Sequence, residues 1–479
     1  MATVARAKSM GRWIARTRSV PSAFEVERFV DLERPPPRLQ QEWAVVDCPI
    51  REASGCGVHG QAVVQGLTLY ARLLTPPDEF ATALYIRFND GALRGMKSEF
   101  GLGSGEPLIQ IDEFRGFVAS AYVLATDDRS IFFSLDFSLR ERGERSYYLV
   151  YDAVAASLSM IPYLPPDYSA PYTVAPLQMI RGGGGGGCEL AILACRPVPL
   201  TQDEMERRKE DVLCVWPQAA AAAAWKVLER NFPEQSIRNL FAADVMFSYR
   251  DKAFWVDLEQ GFVHCDWPPA GGAVDFGFIG LPPGCPPDER WTKPRFEASD
   301  MFSMTRDRTM ACFNGTIRFV WIDRSSPLGN VNISVWDLDP ATKLWTNYKS
   351  FFAKELWRLW SFKTADSLPE MEPRFPTLMA DGSLCFLICN KPKRREDPLE
   401  DYICNVQLPN LKVRWWGRLS QYHASEHPVI LPFDFFKLLH PLTPRQRNLR
   451  GIFTPSSDSP EVKSCGCSGC YTALAASFD

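Results

Sequence analysis

Between about Trp43 and Trp416 the apolar positions fall in short β-branched and aromatic runs, each bounded by Gly, Pro, Asn or Asp. The 3.6-residue spacing of an amphipathic helix is scarce, so the pattern predicts an all-β chain. The strongest turn signals are Asn314-Gly315, between Ala311-Cys-Phe and Thr316-Ile-Arg-Phe-Val, and Asp381-Gly382, between Thr377-Leu-Met-Ala and Ser383-Leu-Cys-Phe-Leu-Ile. Both supply the positive φ angles that a tight two-residue hairpin demands.

These turns line up with Asp127-Asp128, the glycine run ending at Gly187 and Asp251-Lys252, at spacings of roughly 60 to 67 residues. Each turn joins two short strands, and a second pair follows further along. Examples are Tyr147–Tyr151 with Ser157–Ile161, Asn332–Trp336 with Leu344–Thr346, and Tyr402–Val406 with Lys412–Trp416. Four strands per unit is the blade of a β-propeller. Met160-Ile-Pro-Tyr-Leu-Pro-Pro166 and Phe278-Ile-Gly-Leu-Pro-Pro283 close two of the units with prolines that end the outer strand.

Five units span about residues 114 to 419, and Glu42 to Gly95, with an Asn89-Asp90-Gly91 turn, is a candidate sixth. The expected fold is a propeller-like repeat of about five or six four-stranded blades with short helical or disordered inserts; a β-sandwich pair is the alternative. The expected division is a basic, disordered leader over 1–41, one propeller-like domain over 42–440, and a disordered Ser/Pro/Cys-containing tail over 441–479. Among the inserts, the alanine run Ala219–Ala224 is expected to carry a short helix through Trp225 to Arg230, and Glu204–Asp211 a helical or solvated loop.

Composition narrows the function classes. With 46% hydrophobic and 23% charged residues the chain can bury a core. Its net charge of −4 gives no global field for nucleic acid or an anionic membrane. No apolar run approaches the ~20 residues of a membrane helix. The leader carries Arg6, Lys8, Arg12, Arg16 and Arg18 without an acidic residue or a secretory apolar core. The expected compartment is therefore cytoplasm or nucleus, with organelle import through the Arg-rich N-terminus as the alternative. The 14 cysteines sit in strand-like runs such as Leu384–Cys389, which reads as buried thiols rather than a disulfide framework. The sequons at Asn314 and Asn332 carry no weight without a secretory route.

The segment Ala243-Asp-Val-Met-Phe-Ser-Tyr-Arg-Asp-Lys-Ala-Phe-Trp-Val-Asp-Leu-Glu-Gln-Gly-Phe-Val-His-Cys-Asp266 resembles the central motif of domain of unknown function 1618, a plant family abundant in grasses. Val274–Pro283, Ala311–Asp323 and Phe375–Leu387 continue the resemblance in order, and with a weaker N-terminal part it covers about Glu42 to His440. It implies a plant origin and a layout similar to kelch-like, F-box-associated domains. It brings no activity and no catalytic residue. The glycine and alanine runs and the Arg-rich leader depart from the family pattern.

Motifs for chemistry are few. His423-Ala-Ser-Glu-His427 matches H-x-x-E-H, which on a helix places two imidazoles as zinc ligands beside a glutamate. Pro428 biases His427 away from helical geometry, and Glu461 is the one downstream glutamate for a third ligand. Cys465, Cys467 and Cys470 offer three thiolates where a closed zinc site needs four ligands. His264-Cys265-Asp266 cannot form a dyad, because neighbours on a strand point to opposite faces. The glycine run and Gly101-Leu-Gly-Ser-Gly105 lack the context of a phosphate loop, and Lys391–Arg395 reads as a charged loop rather than a nuclear localisation patch. The expectation is thus no catalytic, cofactor-binding or metal residue. The leading function is a non-enzymatic platform for a protein partner, adaptor-like, with a metal-dependent hydrolase at 423–427 as the alternative.

Overall fold

The computed structural model describes residues 23–26, 43–72, 81–101, 117–126, 129–139, 143–168, 170, 175–180, 188–197, 209–217, 224–231, 241–268, 273–285, 304–326, 330–361, 372–389, 401–419 and 429–432. In chain order these begin with β1 (Ala23–Val26), β2 (Trp43–Val45), β3 (Ile50–Ala53), α1 (Gly57–Gly66), β4 (Leu67–Arg72), β5 (Ala81–Thr82), β6 (Leu84–Phe88) and α2 (Asp90–Glu99). Five antiparallel meanders follow. Blade 1 is β7 (Phe117–Thr126), β8 (Ser130–Leu139), β9 (Gly143–Asp152) and β10 (Ser157–Pro162). Blade 2 is β11 (Leu177–Ile180), β12 (Cys188–Pro197), β13 (Lys209–Pro217) and β14 (Lys226–Asn231). Blade 3 is β15 (Val245–Tyr249), β16 (Lys252–Asp257), β17 (Gly261–Asp266) and, after β18 (Ala273–Asp275), β19 (Gly277–Gly280). Blade 4 is β20 (Arg308–Phe313), β21 (Thr316–Asp323), β22 (Asn332–Asp339) and β23 (Leu344–Phe352). After α3 (Ala353–Ser361), blade 5 is β24 (Glu372–Leu378), β25 (Leu384–Cys389), β26 (Asp401–Gln407) and β27 (Lys412–Leu419), and β28 (Val429–Pro432) ends the described chain.

The five meanders form a five-bladed propeller, as the repeat predicts. The middle strands carry near-continuous apolar runs because both faces of each blade are buried. The cores lie between blades: Leu124, Phe132 and Tyr148 meet Ile192, Cys214 and Trp216 between blades 1 and 2, and Phe254 and Phe262 meet Ile317 and Phe319 between blades 3 and 4. Val320, Ile333 and Phe351 meet Leu384, Phe386 and Cys404 between blades 4 and 5. Between blade 5 and blade 1 stands β28. Its neighbouring residues point to opposite faces, so Val429 joins the core of blade 1 while Ile430 packs on that of blade 5. Thr126 Oγ1 donates to Ile430 O at 2.9 Å, and β1 pairs antiparallel along β28 from Ala23↔Pro432 to Val26↔Val429. The segment expected to be a disordered leader thus contributes a strand to the closing sheet.

Three other local expectations change. Residues 43–100 are not a sixth meander blade: β2, β4 and β6 form a three-stranded sheet, and α1 and α2 pack beside blade 1. Asn89 does not turn a hairpin but caps α2, accepting from Ala92 N at 2.8 Å, since the side chain that favours a turn equally favours an N-cap. Arg51 secures α1 from its far end, donating to Val64 O at 2.9 Å and Cys48 O at 2.8 Å, where a cation meets the helix's free carbonyls. Residues 226–231 are the strand β14 rather than a helix, and β13 already begins at Lys209. Pairing of Leu213 with Leu228, and Trp225 Nε1 donating to Pro162 O at 2.9 Å, outweigh the helix propensity of the preceding alanines.

A glycine contact recurs at two successive blade junctions. Asn314 (φ 44°) and Gly315 (φ 80°) form the left-handed turn the sequence predicts, and a Cβ on Gly315 would lie 2.6 Å from Tyr249 Oη of blade 3. One blade on, a Cβ on Gly382 (φ 75°) would lie 2.4 Å from Phe313 Cζ. On blades 3 and 4 the last residue of the first strand therefore lies over the turn glycine of the next blade. Gly284 (φ 81°) has the same handedness with nothing within 4 Å of such a Cβ. Gly284→Ala should therefore cost only the backbone term of about 1–2 kcal/mol. Gly382→Ala should add an overpacking cost of ~1–3 kcal/mol. Equal losses in urea denaturation would show that Phe313 yields freely.

Candidate functional site

In a meander the turns after the first and third strands share one end. On blades 3 to 5 this end gathers Arg250, Asn314, Lys343 and Asp381, of which Arg250 (φ 52°), Asn314 and Lys343 (φ 56°) take left-handed backbone. All four are exposed. The Arg250 guanidinium lies 5.0 Å from the Tyr249 ring, which itself covers Gly315.

Two polar clusters stand behind these turns, one on the face of blade 4 toward blade 5 and one on the face of blade 5 toward β28. Arg318 on β21 meets Asp337 on β22 in direct register and makes a bidentate pair, Nε to Oδ1 at 2.7 Å and Nη2 to Oδ2 at 2.9 Å. Its guanidinium lies between two rings, 5.5 Å from Phe313 and 4.2 Å from Tyr348. Burial acts against the cation, but the hydrogen bonds and charge of Asp337 hold the pKa of Arg318 above its ordinary value. Arg318 is 6% exposed and Asp337 21%. This pair is structural in the first instance, and it fixes the position of Tyr348.

In the second cluster Asn405 Nδ2 donates to Ser383 Oγ at 2.7 Å and to Cys385 Sγ at 3.2 Å, and Ser383 Oγ donates to Asp381 Oδ1 at 2.6 Å. Arg414 pairs with the other oxygen of Asp381. Burial raises the pKa of Asp381, yet the Ser383 side-chain and backbone hydrogen bonds and the Arg414 charge together bring it below the usual carboxylate value. Burial pushes the Cys385 thiol up to about 12 and Cys404 well above its ordinary value, so neither is a thiolate nucleophile near neutrality. Asn405 Oδ1 is buried without a hydrogen-bond partner among the described residues.

The residues singled out by sequence fall as follows. His264 and Cys265 lie on opposite faces of β17, with Cys265 in the core and its thiol pushed up to about 12 by burial. His264 stands in a cross-strand row with Phe247, Phe254 and Gly277. Burial, then Lys252 and Lys343, hold its pKa below the ordinary imidazole value. His423 to His427, Cys465 to Cys470, Lys391 to Arg395 and the glycine run lie outside the described residues, as does the whole tail from 441. No three His, Cys, Asp or Glu side chains among the described residues are placed to hold a metal ion, and no described helix is long and apolar enough to cross a membrane. The sequence reading missed the Arg318–Asp337 pair. Its only signal was an arginine and an aspartate on successive strands, and the register between them depends on a connection whose length no turn motif fixes.

The fold defines the chain as a propeller domain without an assigned chemistry. Residues 255–385 match the family described as "Protein of unknown function (DUF1618)", which supports membership of that family for this part of the chain. No curated protein matches the chain. Among solved structures it is similar to the WD40 domain of SCAP from fission yeast, at 11% identity over 66% of this chain and 68% of that one, with a TM-score of 0.26. An ancestral GH74 enzyme is similar at 7% identity over 74% of this chain and 49% of that one, TM-score 0.26. The NanB sialidase of Streptococcus pneumoniae is similar at 8% identity over 81% and 63%, TM-score 0.24.

Two outcomes follow from the polar clusters. Asp337→Ala leaves the Arg318 cation buried and unpaired and should lower unfolding free energy by about 3 kcal/mol, while Arg318→Met with Asp337→Leu should recover most of that loss. For Asp381 the folded carboxyl titrates below the unfolded value of about 3.9, so its contribution is complete above that pH and is lost as pH falls through the folded value. Asp381→Asn should therefore flatten the stability loss below about pH 4 in acid titrations of the folded chain. An unchanged acid limb would show that the Ser383 and Arg414 contacts do not favour the charged form.

Proposed function

We propose that this chain is a non-enzymatic protein-interaction platform of a plant cell, adaptor-like, working in the cytoplasm or nucleus. The observation that carries the reading is the turn face of blades 3 to 5. There Arg250, Asn314 and Asp381 are exposed on turns locked by Tyr249 over Gly315 and Phe313 over Gly382. Polar groups held rigidly at a surface lose little entropy on binding, which is what a recognition face requires. Free cysteines throughout the described residues agree with a reducing compartment. An adaptor role in ubiquitin ligation is the narrower form of the same reading and rests on the resemblance to F-box-associated domains.

The test is affinity purification of the tagged full-length chain from cross-linked plant tissue, compared by quantitative mass spectrometry with an Arg250→Glu/Asn314→Asp variant. A stoichiometric partner should be present with the parent chain and reduced about tenfold or more by the variant, the effect of ~1.4 kcal/mol of lost contact. A chain that carries no stoichiometric partner would overturn the platform reading.

A further inference from the structure

The outer edges of the blades are not treated alike. In blade 1 the outer strand β10 receives β3 as a parallel fifth strand, from Ser157↔Ile50 to Met160↔Ala53. In blade 2, β14 receives β18 in parallel, from Glu229↔Ala273 to Asn231↔Asp275. The chain thus already adds short extended segments to its own blade edges. Blade 3 ends in the four-residue β19, and Trp345 Nε1 of blade 4 donates to Gly280 O there at 2.8 Å. In blade 5, α3 packs against β27. Blade 4 ends in β23, nine residues long, and no strand pairs with its outer side among the described residues.

The chemistry of that edge is specific. Leu344 is 65% exposed, Tyr348 40% and Phe352 41%. Phe352 N points outward and is taken by Glu355 Oε1 rather than by β22, so two residues back the amide of Ser350 also points outward, and it is the open one on this part of β23. Lys343, Lys349 and Lys354 line the strand and the start of α3, and no carboxylate pairs with them among the described residues. The nearby acids are engaged locally: Asp339 accepts from Ala341 N and Thr342 Oγ1, and Glu355 from Phe352 N. A second copy would bring lysine against lysine, the device by which edges resist self-pairing.

We infer that β23 accepts an extended segment of a partner protein, alternating acidic and apolar residues, as the fifth strand of blade 4. Main-chain hydrogen bonds to the outward amide and carbonyl of Ser350 supply the docking, Lys349 selects carboxylates on one face of the strand, and Phe352, on the opposite face, covers the apolar side chains. This assigns a partner class and rests on the platform reading.

The test uses the full chain and a fluorescein-labelled nine-residue peptide of alternating glutamate and valine, followed by fluorescence anisotropy. Two companion peptides carry N-methyl groups on every second amide or lysine in place of glutamate. Saturable binding is expected for the parent peptide, weakened about tenfold or more by either change. Ser350→Pro removes an outward amide without touching the ladder to β22 and should weaken binding by a similar factor, while Ser350→Ala should not. The N-methylated peptide makes the same test on the unaltered chain if Ser350→Pro fails to fold. Absence of saturable binding, or binding indifferent to N-methylation, overturns the inference. A co-purified partner that survives in that case leaves the platform reading intact, so the two failures are distinguishable.

Discussion

Every blade of this chain is apolar on both faces, and that one constraint dictates the rest. A sheet of this kind cannot stop at a free face, so each blade needs a neighbour on either side and the row of five must return on itself. The closure rests on β28, four residues whose alternate side chains serve two cores at once, with Val429 toward blade 1 and Ile430 toward blade 5. At the junctions of blades 3 with 4 and 4 with 5 the same economy holds at the turns, where Tyr249 and Phe313 each reach over a glycine of the following blade. Angular placement of the blades is thereby set by contacts too close to accept a methyl group.

Much of this architecture was legible because hairpin chemistry is local. Asn314 and Gly315 take the left-handed backbone their letters announce; at Asp381-Gly382 only Gly382 does, in a longer loop between Leu378 and Leu384 rather than a two-residue turn, and the spacing of the two still exposes the repeat. What stayed hidden depends on contacts between distant segments. Lys226 to Asn231 follows an alanine run and becomes a strand because β13 is there to pair with it. Asn89 has the same side chain at a hairpin and at a helix start, and only the buried faces of Ala92, Leu93 and Met96 decide between them. A leader rich in arginine conceals Ala23–Val26, whose partner lies at the opposite end of the domain.

The polar features divide in the same way. That the cysteines sit in strand runs was readable, and burial of Cys265, Cys385 and Cys404 follows from it. The bidentate Arg318–Asp337 pair was not, since register across a long connection has no signature in composition. Its role links two scales of the molecule: the salt bridge orders Tyr348, and Tyr348 stands on the long outer strand of blade 4. A buried interaction that looks purely structural thus shapes what the rim presents to solvent.

The pairing of β1 with β28 has a consequence for how the molecule comes into being. The two strands are separated by nearly the whole chain, so the contact has the largest loop to close and the latest moment at which it can form. On the ribosome the blades emerge in order, and each can stack on its predecessor, but β1 has only the two-residue β5 beside it, and its other edge stays open until Val429–Pro432 has been synthesised. An edge held open through translation is a template for other chains, and the shortness of β1, four residues, limits that exposure. The last step of biogenesis is then the joining of β28 to β1, after which neither strand can leave without opening the circle.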